Sequence, residues 1–176
     1  MPPPIPAVRY VPPSFANPYP GRVWSTITAF SYDTDLELTR SIEAVQVRKG
    51  EDAEYVVSED YKVSFALDAE RRTIVVPRGM LTDLSSVPRI TRPIIDRVGP
   101  HLEASIVHDF LYVAWQDIPG HGARDDDRRF ADELFKVAMA EAEVHSVKRW
   151  LIYQAVAAFG GSAYRETDEQ RYIDLG

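Results

Sequence analysis

The chain contains no cysteine among its 176 residues. This absence excludes disulfide bonds, thiolate nucleophiles, cysteine-ligated zinc and iron–sulfur clusters, and it is compatible with folding in a reducing cytoplasm. A chain of this length buries enough apolar surface to fold without a disulfide or a structural metal. The length therefore predicts one domain, with room for an arm or a tail.

The sequence also lacks an excess of basic residues and any long apolar run. Lysine and arginine number 20 against 27 aspartates and glutamates, which gives a formal net charge of −7. Because a nucleic-acid-binding surface needs a basic face, we expect no nucleic-acid partner. No apolar run approaches the roughly 20 residues of a membrane-spanning helix, and Met1–Pro4 does not have the layout of a signal peptide. We therefore expect no membrane partner and no secretion through a cleaved signal.

Proline is concentrated at the start of the chain, where eight of the 13 prolines fall within the first 20 residues. Proline fixes φ and cannot donate a backbone hydrogen bond, so residues 1–21 are predicted to form an extended arm close to polyproline II. The arm carries Tyr10, Phe15 and Tyr19, apolar groups that a pure spacer would not need. Two interpretations stay open: these side chains bind a partner, or they wrap the core of the chain itself.

Between residues 22 and 98 the pattern is mostly that of β-strands. Runs of β-branched and aromatic residues are separated by short polar segments, of which Ser58–Asp60 and Asp68–Glu70 predict tight turns. Such short connections predict antiparallel hairpins and a small antiparallel sheet. The strands are predicted at residues 23–30, 42–47, 55–58, 61–67 and 73–76.

The remainder of the chain has helical periodicity, with helices predicted at residues 102–116, 127–142 and 146–159. The third is apolar nearly all round at Trp150–Tyr153, so we expect it to be the most buried helix. Gly160-Gly161 is expected to end it. The predicted buried faces of the first two helices consist of Ile106, Val107, Phe110, Leu111 and Ala114, and of Phe130, Leu134, Val137 and Ala138.

Together these segments predict an α+β fold. Its parts are the proline-rich arm at 1–21, a single domain at 22–164 and a polar C-terminal tail at 165–176. The domain divides into a β-rich half, 22–98, and a three-helix half, 99–164.

The most specific pattern is a set of short motifs that occur in a fixed order. TDLSSVPR at 82–89 is followed by HDFLY at 108–112, RFAD at 129–132 and Phe159-Gly160. In this order the motifs resemble a family of unknown function found in tailed phages, prophages and related bacterial loci. The resemblance covers roughly residues 55 to 164. It implies a phage setting but no reaction. Met80 and Ser85 stand where members of the family usually have an aromatic residue and alanine.

The same motifs supply a candidate polar site. His108 and Tyr112 lie four residues apart on a helix, so their side chains share one face, and Asp109 lies at its edge. Asp83 follows a strand, and Asp132 lies on the next helix, within reach of His108 if the two helices pack antiparallel. The candidate catalytic residues are therefore His108, Asp109, Asp83 and Tyr112. His108, Asp109 and Asp132 are ligand types suited to one divalent metal ion, which would activate water for hydrolysis.

A structural role explains the same residues without catalysis, and we favour it. Asp83 would cap a turn, and His108 and Asp109 would make buried hydrogen bonds that fix the packing. The sequence contains none of the motifs H-E-x-x-H, G-x-S-x-G, the Walker loop or the dinucleotide-binding fingerprint. This interpretation expects no cofactor.

Three observations together predict a structural or assembly component of a phage particle: the resemblance to a phage-associated family, the proline-rich arm and the lack of a known catalytic motif. We expect it in the tail, baseplate or connector region, bound through its arm to other virion proteins in a symmetric assembly. It would reside in the virion, and in the host cytoplasm during assembly. The alternative is a metal-dependent hydrolase that acts in lysis, entry or counter-defence.

Overall fold

The computed structural model describes residues 9–40, 55–83, 99–167 and 171–176. The predicted α+β class is confirmed, with small antiparallel sheets in the N-terminal half and three helices in the C-terminal half. The strand predicted at 42–47 and the position of Ser85 lie outside the described residues. The elements are β1 (Ile27–Tyr32), β2 (Leu38–Thr39), β3 (Tyr55–Val57), β4 (Tyr61–Leu67), β5 (Glu70–Val76), β6 (Leu81–Thr82), α1 (Leu102–Val113), a 3-10 helix (Ala114–Asp117), α2 (Asp125–Glu141) and α3 (Ser146–Arg165).

Two three-stranded sheets form the β half, one in the order β1-β4-β5 and the other in the order β2-β3-β6. Every pairing is antiparallel. β4 is the central strand of the first sheet, and its alternate residues face the core, as the period of two in a strand requires. The buried residues on that face are Tyr61, Val63, Phe65 and Leu67.

The β4–β5 hairpin turns through two residues, Asp68 and Ala69, which both have positive φ, 49° and 69°. Positive φ at both central positions defines a type I′ turn, whose twist matches that of a hairpin. The Asp68 carboxylate accepts hydrogen bonds from the backbone amides of Ser25 and Thr26, at 2.9 and 2.8 Å. Its hydrogen bond with Arg22 contributes most to lowering the pKa of Asp68 to about 2. The turn thus ties the residues before β1 to the hairpin.

Replacement of Ala69 by glycine is expected to stabilise the fold by about 0.5–1 kcal/mol. A non-glycine residue in the left-handed region costs roughly 1–2 kcal/mol, and the greater freedom of glycine in the unfolded chain offsets part of the gain. Thermal unfolding should show a rise in Tm. The matched control is Ala158→Gly, at an exposed position inside α3, which should lower stability by about 1 kcal/mol. Equal losses in both variants would contradict the assigned turn.

The core lies between the first sheet and the helices. α2 is the central helix, because it contacts α1, α3 and β1. All five residues of the predicted apolar face of α1 are buried, which confirms that prediction. In α2, Phe130, Leu134 and Ala138 are buried, while Val137 is only partly buried. The rings of Phe65 and Phe130, 5.9 Å apart, join the sheet to α2.

The described part of the proline-rich segment begins at Arg9 and lies against the domain. Tyr19 keeps only 3% of its surface exposed and stacks on the ring of His121 at 5.3 Å. Partner binding through Phe15 or Tyr19 would require these side chains to leave the core, whereas Tyr10 is 39% exposed. Phe15 contacts the rings of Phe110 and Tyr172, and the Tyr19 hydroxyl donates to the carbonyl of Leu111 and accepts from the amide of Trp115.

The end of the chain differs from the predicted polar tail, because Arg171, Tyr172 and Ile173 are buried. The Leu81 amide donates to the carbonyl of Arg171, and the Ile173 amide donates to the carbonyl of Gly79, both at 2.9 Å. Gly79 has a φ of 90°, and a Cβ there would overlap the carbonyl oxygen of Ile173. The composition of the segment is polar, but its three apolar or paired side chains decide where it lies.

α3 is also less buried than predicted. Five of its 20 residues are buried, against seven of 12 in α1. Val147, Trp150, Leu151 and Phe159 keep 60, 59, 37 and 59% of their surface exposed. A helix that is apolar nearly all round was expected to be covered on every side, but the elements that pack most closely on α3 are α2 and α1, and they leave these side chains uncovered. We call these four residues the α3 face.

The predicted end of α3 at Gly160-Gly161 is wrong, because the helix continues through both glycines to Arg165. Of the helices in the described residues, none is both long and apolar enough to cross a bilayer.

Candidate functional site

His108 and Asp132 meet in the interior between α1 and α2. Nε2 of His108 lies 2.9 Å from Oδ1 of Asp132, and both side chains are almost completely buried. The Tyr112 hydroxyl, one helical turn after His108, donates to the same oxygen at 2.7 Å. The ring of His108 also stacks on Phe135, with ring centres 4.5 Å apart. The expected approach of Asp132 to the shared face of His108 and Tyr112 is present in the structure.

Electrostatics keep the Tyr112 hydroxyl in its donor form. Burial, followed by the negative charge of Asp132, raises the pKa of Tyr112. Nε of Arg128, four residues before Asp132 on α2, lies 4.0 Å from its other carboxylate oxygen. One oxygen of Asp132 therefore contacts His108 and Tyr112, while the Arg128 cation lies near the other oxygen. The arrangement is a buried hydrogen-bond network, in which Nδ1 of His108 is buried without a hydrogen-bond partner among the described residues.

Two glycines allow α3 to close over this network. A Cβ at Gly160 would overlap the Tyr112 hydroxyl, and a Cβ at Gly161 would lie 2.7 Å from Nη1 of Arg128. Their function is therefore close packing of α3 against α1 and α2. Sequence reasoning missed this role, because a glycine that ends a helix and a glycine that permits close approach look alike in one sequence.

Asp109 belongs to a separate group on another side of α1. Its Oδ2 accepts a hydrogen bond from the Thr82 hydroxyl at 2.7 Å. Burial raises the pKa of Asp109 well above its ordinary value, and the negative charge of Asp83 raises it further, while the bond from Thr82 opposes the shift. Asp83 and Asp109 thus form a carboxyl pair at the point where β6 ends.

The structure divides the predicted metal ligands between these two groups. His108 and Asp132 contact each other, whereas Asp109 pairs with Thr82 and lies near Asp83. In the described ranges, no group of three or more histidine, aspartate or glutamate side chains is placed to hold a metal ion. The three predicted ligands therefore do not fit a single metal ion there, and we derive no step through one.

Replacement of Asp109 by asparagine should change how stability depends on pH. A carboxyl whose folded pKa is raised stabilises the fold below its unfolded pKa, and that contribution is lost as pH rises through the folded pKa. Asparagine keeps an acceptor for Thr82 but does not titrate. The stability of Asp109→Asn relative to the wild type should therefore rise from acidic to mildly alkaline pH, as urea unfolding would measure.

Asp83→Asn is the companion variant, because it removes the negative neighbour and should move the pH window of this effect downward. A difference between wild type and Asp109→Asn that is the same at every pH would contradict the raised pKa of Asp109.

A third polar group, unforeseen in the sequence, joins the chain end to the helical half. The Arg171 guanidinium forms a two-point ion pair with Asp117, in which Nε lies 2.8 Å from Oδ2. A further nitrogen donates to Oε1 of Gln116 at 3.0 Å. Both charged side chains are about 2% exposed. The pair is 54 residues apart in sequence, and no spacing rule connects such positions.

Residues 55–156 match a protein family of unknown function, DUF1353. The matched range contains the His108–Asp132 network and the Asp83–Asp109 carboxyl pair. Comparisons with curated proteins and with solved structures found no match. Because the matched residues make up more than half of its length, the chain belongs to this family of unknown function.

Proposed function

We propose that this protein is a structural or assembly component of a phage particle, in the tail, baseplate or connector region, and that it binds neighbouring subunits. The phage setting comes from the resemblance of its motifs. The observation that supports this proposal most strongly is the α3 face, where four large apolar side chains lie exposed. Exposed apolar groups that share one helical face, as Val147, Trp150 and Leu151 do, are a mark of interaction surfaces, and aromatic residues are enriched where partners bind.

We propose α3, rather than the arm, as the site of this contact. Phe15 and Tyr19 contact the chain's own core, so of the three predicted partner-binding residues Tyr10 is the most available. Val147, Trp150 and Leu151 have the i, i+3, i+4 spacing of one helical face, whereas Phe159, eight residues after Leu151, lies about 80° further round the helix. His108, Tyr112 and Asp132, the other distinctive residues, are engaged with one another in the interior.

Particles produced by the phage or prophage that encodes the chain provide the test. Mass spectrometry of purified particles should detect the chain in a fixed ratio to other virion proteins. Absence from particles, combined with abundance in infected cells, would overturn the proposal in favour of a non-structural role.

A hydrolase is the second candidate function, favoured by the Asp83–Asp109 carboxyl pair. Two neighbouring carboxyl groups in different environments are a common arrangement of a general acid and base, and burial raises the pKa of Asp109 above its ordinary value. Elemental analysis of the purified protein for divalent metals, with assays on peptidoglycan and phosphodiester substrates, tests this function. Activity that Asp109→Asn abolishes would support it; absence of both activity and metal would remove it.

A further inference from the structure

Two surfaces of the chain have opposite character. α3 contains three basic residues, Lys148, Arg149 and Arg165, and all 27 acidic residues of the chain lie outside it. At its start the helix borders a groove of about 340 Å³ between α2 and α3, lined by Lys136, Arg149 and Trp150 among others. The exposed apolar side chains are therefore bordered by positive charge, in a chain that is acidic as a whole.

The second surface is an acidic cleft of about 740 Å³ between the segment after β1 and the ends of two helices. Four carboxylates line it, and no basic residue does so among the described residues. Its floor includes the apolar or aromatic side chains of Leu36, Tyr32 and Tyr61. A cleft of this kind accepts a large apolar group with positive charges around it. The carboxylates belong to Asp33, Asp35, Glu103 and Glu141.

The two surfaces adjoin each other. Glu141 ends α2 beside the cleft, and α3 begins at Ser146. Nζ of Lys148 lies 3.9 Å from the position a Cβ would take at Gly99, next to Pro100 in the cleft lining. If a two-fold axis passes between two adjoining complementary surfaces, the first surface of one copy contacts the second surface of the other copy, and the reverse contact forms as well. Both contacts form at once, and the assembly closes as a dimer.

We propose that the occupant of the α3 face is a second copy of this chain, arranged as a two-fold dimer. In it, Trp150 of each copy enters the acidic cleft of the other, and Lys148 and Arg149 face its carboxylates. The inference rests on the proposed function only in taking the α3 face as an interaction surface. Two such contacts are needed, because a stable interface buries about 800 Å² on each partner.

Charge reversal tests the pairing. Lys148→Glu with Arg149→Glu reverses α3, and Asp35→Lys with Glu141→Lys reverses the cleft at two exposed positions. Each double variant should weaken dimerisation at least about tenfold, because like charges then face each other. An equimolar mixture of the two should dimerise again, since every reversed α3 meets a reversed cleft. Circular dichroism and thermal unfolding confirm that each variant is folded.

Sedimentation velocity over a range of protein and salt concentrations gives the result. Wild-type dimers that weaken with salt, are lost in each variant and return in the mixture are the expected outcome. A wild type that stays monomeric, or a dimer that neither reversal weakens, would overturn the second copy as occupant. If the wild type is monomeric but particle incorporation requires Trp150, the inference fails while the proposed function stands with a different protein on this face.

Discussion

Replacement of Asp117 by alanine is expected to lower the free energy of unfolding by about 3–5 kcal/mol, the usual cost of removing one partner from a buried ion pair. The variant would leave the Arg171 guanidinium charged and buried beside Gln116. Because the Arg171 side chain ties the last residues to the 3-10 helix, we expect these residues to detach in the variant. Urea unfolding measures the stability loss, and limited proteolysis at the C-terminus measures the detachment.

The double variant Asp117→Leu with Arg171→Met is the control for this prediction. Removal of both charges avoids an uncompensated buried ion, so the double variant should be more stable than Asp117→Ala. If Asp117→Ala costs less than about 1 kcal/mol, a value typical of exposed ion pairs, then this pair is not the buried attachment described above.

Replacement of Asp132 by alanine is expected to lower the free energy of unfolding by a similar amount, about 3–5 kcal/mol. Nε2 of His108 and the hydroxyl of Tyr112 would both lose their acceptor in the interior, and each unsatisfied buried group costs roughly 1–3 kcal/mol. Chemical denaturation measures the loss. In an NMR spectrum, the backbone amide resonances of α1 and α3 should shift around Tyr112.

Asp132→Asn separates a packing role from a chemical one. Asparagine keeps an oxygen for Tyr112 and His108, so it should retain most of the stability that alanine loses. A role for Asp132 as a metal ligand or acid–base group predicts the opposite pattern, in which asparagine is stable but loses any activity or bound metal found in the wild type. Equal destabilisation by alanine and asparagine would contradict a role for Asp132 as the hydrogen-bond acceptor of His108 and Tyr112.

The parts of the fold that could be predicted are those that the local periodicity of apolar residues determines. β4 was predicted at its observed bounds, because its alternate apolar residues face one core. The buried stripe of α1 followed from helical spacing alone. Trp150 and Leu151 on α3 were misjudged, because an apolar side chain reveals its preference for burial but not whether another element covers it.

The polar groups also divide into contacts that local spacing predicts and contacts that depend on the rest of the fold. Helical spacing placed His108 and Tyr112 on one face, and Asp132 joins them. Asp109 was predicted as a metal ligand together with His108 and Asp132, but one residue on a helix is a rotation of about 100°. Its carboxylate therefore contacts Thr82 instead. The contact of Arg171 with Asp117 depends on the path of the whole chain, so no short motif predicts it.

Particle incorporation of a Trp150→Glu variant tests the central claim, that the α3 face binds a neighbour, most directly. Val23→Glu is the matched control, because Val23 is 93% exposed and belongs to the segment before β1 rather than to α3. Both variants should fold with nearly wild-type stability. The account predicts that mass spectrometry will find wild type and Val23→Glu in purified particles and Trp150→Glu depleted at least about tenfold, as expected for a lost interface anchor. Equal incorporation of all three proteins would contradict it.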